Sequence, residues 1–314
     1  MDGSLWIAKF PSRYDEIDVG AWEMVIHDLA KKCGLNVPPA KLIKLSENRS
    51  TFLSKRFDRD EQGNRIHFAS AMTMLGEVYG SDNLKSYLDI ADFIDRQKSS
   101  AHVVNLHELW KRVVFNICVS NTDDHLRNHG FLLNPQNDLW ELSPAYDVNP
   151  SPDVDWMELA IDFDNTSKDL MFALDTCLYY RIEEDTAIEE IAGIQKVVRE
   201  NWAQLAGRYG IPKREQERME RAFLRSYNEI NVLENLTNNA PIINFDFEEG
   251  SVQSAKHDID PNQNSGLCVW EEDVFDILKE GDTGTLGMGE SDSFGTMTDK
   301  ITELPEKGID LESP

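Results

Sequence analysis

The segment Asn121-Thr122-Asp123-Asp124-His125-Leu126-Arg127-Asn128 sets an acid, Asp123, five residues before an amide, Asn128; Asp147 follows nineteen residues later in Ser143-Pro144-Ala145-Tyr146-Asp147. An acid and an amide at that spacing serve phosphoryl transfer: the acid orients and deprotonates a hydroxyl, and the amide oxygen reaches Mg²⁺. A second carboxylate completes the chemistry, because Mg²⁺ takes few protein oxygens alongside phosphate and water. Asp147 stands where it can supply one. A bare Asp-x4-Asn pair is frequent, and Asn, Asp and Thr also make solvated turns through local hydrogen bonds. The weight therefore rests on the elements around the pair.

Leu106, Leu109, Trp110, Val113, Val114, Ile117 and Cys118 recur at the three-then-four spacing of a buried helix face, and predict a helix that ends where the polar loop begins. After the loop, His129 to Leu133 and Leu139 to Leu142 are short apolar runs around the turn formers Asn134 to Asp138, which predicts a β-hairpin. Helix, polar loop, hairpin and second acid is the order of a kinase large lobe. Near the N-terminus, Leu5 to Phe10 reads as an apolar strand carrying one cation, Lys9. That lysine is placed either to hold nucleotide phosphates as a point charge or to blunt a strand edge. Trp22, Val25, Ile26, Leu29, Ala30 and Cys33 mark a helix closed by Gly34, with Glu23 at the rim of its apolar stripe, where it either pairs with Lys9 or faces solvent. Ala40 to Leu45 and Ser50 to Phe57 read as two further strands, and backbone groups just after the second are suited to an adenine.

These residues converge on a family. Ile7-Ala8-Lys9-Phe10, Gly34-Leu35-Asn36-Val37-Pro38, Lys55-Arg56-Phe57-Asp58-Arg59, the Asn121 to Asn128 loop and Leu142-Ser143-Pro144-Ala145-Tyr146-Asp147 together resemble the HipA-like serine/threonine kinases of bacterial toxin-antitoxin systems, over roughly residues 1 to 235. The resemblance implies an α+β, two-lobed protein-kinase-like fold: a small mixed N-lobe over 1–57, a mainly helical C-lobe over 58–240, and beyond them a tail over 241–314. It implies that Lys9, with Glu23 beside it, binds ATP phosphates and that Lys55, Arg56 and Phe57 form the adenine hinge. It implies that Asp123 accepts the proton, that His125, Leu126, Arg127 and Asn128 line the nucleotide, and that Tyr146 and Asp147 complete the phosphate and metal site, with Asn128 and Asp147 as metal ligands. ATP and Mg²⁺ are the cofactors implied, a protein Ser or Thr hydroxyl the acceptor (aminoacyl-tRNA synthetases in some members), and a DNA-binding antitoxin the partner. In that family a Gly- and Ser-containing loop lies upstream of the lysine strand, whereas eight residues precede Lys9 here. That leaves open a late-starting reading frame, a second polypeptide that supplies the loop, and a catalytically impaired remnant that serves as a binding module. A small-molecule or lipid kinase with the same lobes is the third function class, since acceptor choice lies in surfaces the motifs do not specify.

With 314 residues and 40% hydrophobic content the chain is long enough for two lobes and a core. Its four cysteines are widely spaced and form no metal-like pair, which fits a reducing cytoplasm. No leader pattern opens the chain, and no apolar run approaches the ~18 to 20 residues of a membrane span. The formal net charge of −26 is partly local: from 244 to 314 there are 18 acids against 4 bases. So acidic a chain is a poor direct ligand for nucleic acid, whose nonspecific affinity comes from Lys and Arg on phosphates. A basic partner would carry any DNA contact.

Ile191, Ile194, Val197, Val198, Trp202 and Leu205 predict a helix over 183–209, and Met219, Ala222, Phe223 and Tyr227 a second over 213–230, with Pro212 at its start. Leu159 to Asp164 alternates like a short strand. From Pro241 onward the composition predicts disorder, with one acidic amphipathic island at Cys268 to Leu278. The glycines of Gly281 to Gly289 follow no strand, open no helix and precede no lysine, so they are not a phosphate loop.

Overall fold

The computed structural model describes residues 4–46, 49–60, 62–80 and 84–224, all within one compact unit, Met1–Asn244. The expectations for the tail, including Cys268 to Leu278 and Gly281 to Gly289, lie outside the described residues, as does the end of the helix expected over 213–230.

Three antiparallel strands, β1 (Trp6–Lys9), β2 (Ala40–Ser46) and β3 (Arg49–Lys55), form a sheet in the order β1-β3-β2, with Lys9 opposite Phe52. Helix α1 (Val19–Lys32) packs on it. Asp18 starts that helix and fixes it to the sheet at once: its carboxylate accepts from the Ala21 N–H at 3.3 Å and from the Ser50 N–H and Oγ at 2.9 and 2.7 Å. Gly34, at φ +73°, closes α1 as its sequence position predicts, since a left-handed C-terminal residue favours glycine.

Helix and sheet meet so closely at Gly20 that a Cβ there would lie 2.4 Å from the Ser50 carbonyl oxygen. Glycine to alanine inside a helix ordinarily stabilises by roughly 0.5–1 kcal/mol. Here Gly20→Ala is expected to destabilise by about 1–3 kcal/mol through overpacking, read as a lower urea midpoint. A midpoint at or above that of the native chain would show that the sheet yields without cost.

The second sheet, in the order β4-β5-β6, joins the expected hairpin, β5 (Gly130–Asn134) and β6 (Leu139–Leu142), to a three-residue strand, β4 (Phe68–Ser70). A single turn, α2 (Ala71–Met74), follows β4. The remainder is helical: α3 (Tyr87–Gln97), α4 (His102–Val119), α5 (Leu170–Asp175), a 3₁₀ turn at Cys177–Tyr180, α6 (Glu184–Arg208) and α7 (Lys213–Leu224). The seven residues expected on the buried face of α4 are all at most 2% exposed, and Trp110 Nε1 donates to the Ala173 carbonyl at 2.7 Å. Trp22 of α1 stacks on Phe223 of α7, which stacks on Trp202 of α6, with centroids 5.9 and 4.9 Å apart. One core thus runs from α1 through the helical part.

The expected strand over 159–164 does not form. Ala160 makes a single parallel bridge to Ser86, and the chain then turns, because Asp162 Oδ1 accepts from the N–H groups of Asp164 and Asn165 at 3.1 and 2.7 Å. A side-chain oxygen that captures following amides competes with a strand ladder. Among the described residues no helix is long and apolar enough to cross a membrane.

Candidate active site

A cleft of about 370 Å³ opens between the β1-β3-β2 sheet with α1 on one side and the segment 145–148 on the other. Strand β1 presents Lys9 to it, and α1 presents Glu23 from its buried face, 4% exposed. Lys9 Nζ lies 2.6 Å from Glu23 Oε1 and 2.6 Å from Asp147 Oδ1. Burial works against the ammonium, but the two carboxylates outweigh it and hold the Lys9 pKa above the ordinary lysine value. Lys9 is therefore a fixed positive charge at the base of the cleft, with Glu23 as its buried anchor. Asp147 remains 44% exposed at its side chain and adopts φ +57°.

The segment delivering Asp147 is held from below. Buried Arg112 on α4 donates Nη2 to the Ser143 carbonyl at 2.7 Å and Nε to Glu108 Oε1 at 3.0 Å, and the Ala145 N–H donates to the Asn36 carbonyl at 2.8 Å. Tyr146 donates its hydroxyl to the Arg127 carbonyl at 2.7 Å, and burial pushes its pKa up, so it stays a neutral donor. Its ring completes an aromatic trio with Phe57 and Phe68, centroids 5.7 to 6.2 Å apart, on the cleft wall.

At the end of β3, Lys55 and Arg56 commit their backbone N–H groups to the carbonyls of Pro39 and Leu5, at 2.8 and 2.9 Å. The Arg56 guanidinium forks onto Asp58 at 2.8 and 2.5 Å. Of Lys55, Arg56 and Phe57, Phe57 is the one whose amide these sheet bonds do not take.

Helix α4 ends at Ser120, φ +54°, and releases the polar loop. Asp123 is exposed, whereas its neighbours Thr122 and Asp124 are buried. Asp124 Oδ2 accepts from Tyr87 OH at 2.6 Å, Asn116 Nδ2 at 2.8 Å and His129 Nε2 at 2.8 Å. Asn128, 7% exposed, donates Nδ2 to the Asp123 carbonyl at 3.2 Å and its N–H to the His125 carbonyl at 2.8 Å. The structure thus brings Lys9, Glu23, Lys55, Arg56, Phe57, Arg127, Tyr146 and Asp147 together on the cleft, while Asp123, His125, Leu126 and Asn128 lie off its lining. Leu126 packs into the core at 5% exposure.

Sequence reasoning gave no role to Phe68, His27 or Phe52 on the cleft, nor to Arg112, Tyr87 or Asn149 around it. Phe68 sits on a strand too short for a periodic signal. The polar residues Arg112 and Asn116 among the apolar positions of α4 were the available clue.

The oxygens beside Asp147 suit Mg²⁺. Both donors to its carboxylate, Lys9 Nζ and Asn149 Nδ2 at 3.0 Å, converge on Oδ1, which leaves Oδ2 for a cation. Asn128 uses its amide nitrogen in the loop, which frees its oxygen. No group of three or more His, Cys, Asp or Glu gathers as a metal cage among the described residues, and magnesium bridged to a nucleotide requires none.

The model of the family described as the HipA-like C-terminal domain matches residues 1–224. A Haemophilus influenzae protein named "Putative kinase" is 32% identical over 40% of this chain and 40% of its own length. A Sinorhizobium fredii protein named "Putative kinase Y4dM" is 28% identical over 46% of this chain and 37% of its own. The chain thus aligns with about two fifths of the length of these curated relatives. Among solved structures, HipA of the Shewanella oneidensis toxin-antitoxin system, in complex with HipB and operator DNA, matches with a TM-score of 0.54 at 17% identity, over 72% of this chain and 60% of that one. That likeness establishes a shared α+β fold.

Proposed function

The chain belongs to the HipA-like C-terminal domain family, and from that premise we propose that it is an ATP- and Mg²⁺-dependent protein serine/threonine kinase. The observation that carries the reading is Lys9 held 2.6 Å from both Glu23 and Asp147 at the base of the cleft. An ammonium fixed by a buried acid, next to a half-exposed acid, is the arrangement that grips a polyphosphate and its cation.

Each residue then has a task. Lys9 holds phosphate oxygens, and Glu23 keeps its ammonium from swinging away. The Phe57 amide hydrogen-bonds the base, and the aromatic wall of Phe57, Phe68 and Tyr146 keeps water from the nucleotide. Asp147 and Asn128 hold Mg²⁺, which when bound supplies positive charge against the phosphate oxygens. Asp123 orients the acceptor hydroxyl and takes its proton as the oxygen attacks. Its exposure favours an acceptor carried on a macromolecule. The chain at Glu158, whose N–H donates to the Thr122 carbonyl at 3.0 Å, forms the adjoining surface. A basic, DNA-binding antitoxin is the partner we assign, by charge complementarity to a chain of net −26.

Calorimetric titration with Mg²⁺ and ATP tests the site. Saturable binding is expected in the native chain, with a loss of at least about tenfold in Asp147→Ala, which removes a metal ligand. Absence of binding in both proteins would turn the assignment from enzyme to binding module.

A further inference from the structure

Asp147 does not stand alone behind the cleft. Its Oδ1 accepts from Asn149 Nδ2 at 3.0 Å. The Asn149 backbone N–H donates to Asn121 Oδ1 at 3.2 Å, and Asn121 Nδ2 donates in turn to Asn116 Oδ1 at 3.2 Å. Asn116 Nδ2 then donates to Asp124 Oδ2 at 2.8 Å, the oxygen that also receives Tyr87 and His129. Three asparagine side chains, joined through the Asn149 backbone, therefore connect the acid in the cleft by hydrogen bonds to the buried acid next to Asp123. Asn116 and Asn121 are 3% and 1% exposed, so water competes little for these bonds.

We propose that Asn149 is a positioning residue for the metal-binding carboxylate, and that the path through Asn121 and Asn116 sets Asp147 in register with the loop bearing Asp123. The inference rests on the kinase reading and extends it to residues outside the cleft lining. The directional chemistry is specific. Asn149 must donate, because its partner is a carboxylate. With Lys9 it fills Oδ1, so the carboxylate is turned to present Oδ2. Asp147 itself adopts a left-handed backbone, φ +57°. Without the Asn149 donor, Lys9 alone would hold Oδ1 and the carboxylate would be free to rotate about it.

The test is Mn²⁺ uptake, followed by the electron paramagnetic resonance signal of the free ion, with a non-hydrolysable ATP analogue present. Asn149→Ala is expected to weaken Mn²⁺ binding about tenfold or more, the usual cost of removing a residue that orients a ligand, with metal-free affinity for the analogue unchanged. Asn149→Leu, close in shape but without a donor, should do the same, and it decides the matter where the alanine variant does not fold. In an Asp147→Ala background the Asn149 substitution should have no further effect, because it acts through that carboxylate. Native protein that binds Mn²⁺ while both variants match it would overturn the positioning role and leave the kinase reading standing. Native protein that takes up neither ion nor analogue would overturn both.

Discussion

Asp123→Ala should lower phosphate transfer from γ-labelled ATP by about 10²–10⁴-fold, the range of a positioned general base, and shift the melting temperature by less than about 2 °C. The two halves of that expectation have one structural cause. The Asp123 carboxylate faces solvent, so truncating it uncovers no buried partner. What holds the residue is its backbone: the carbonyl receives Asn128 Nδ2 at 3.2 Å, and that bond survives the substitution. Nucleotide binding should also survive, because Lys9, Glu23 and Asp147 are untouched. Transfer that persists at the native rate would remove Asp123 from the mechanism and, with it, the main sequence argument for a kinase.

Much of this site was legible because its parts lie on strongly patterned elements. The seven-residue stripe of α4 and the turn-forming Asn134 to Asp138 located the loop and hairpin, and hence Asp123, Asn128 and Asp147. The Lys9 and Glu23 contact was readable as an alternative from strand and helix phase alone, although a solvated glutamate fitted the same pattern. Tertiary packing decided between them by burying Glu23 to 4% exposure. Three features escaped for different reasons. Strand β4 is three residues long and has no measurable alternation. The alternation over 159–164 was real, but the side chain of Asp162 captured the amides of Asp164 and Asn165 and turned the chain. The polar network around Asp124 unites positions as far apart as 87 and 124 through side-chain hydrogen bonds. No local pattern records a partner that distant in sequence.

That network yields the largest expected effect on stability, and from the residue adjacent to the proposed base, Asp123. Asp124→Ala should destabilise the fold by about 3–5 kcal/mol, as removal of one partner from a buried charged cluster does. For a domain of this size that is a fall in melting temperature on the order of 10 °C. The reason lies in what remains: Tyr87 OH and His129 Nε2 would be left as buried donors without this acceptor, and Asn116 Nδ2 would keep only its 3.2 Å bond to Tyr87 OH. Burial opposes ionisation of Asp124, yet the neighbouring His129, through charge and hydrogen bond, and the Tyr87 hydroxyl overcome it and hold the carboxyl below its ordinary pKa. A depressed folded-state value means that the stabilisation is full above the unfolded value of about 3.9 and fades as pH falls through the folded one. The stability difference between the native chain and Asp124→Asn should therefore shrink as pH falls below about 4, measured by urea unfolding from there into stronger acid. A difference that persisted undiminished into strong acid would mean that the carboxylate charge contributes nothing, and that the site works through shape and neutral hydrogen bonds alone.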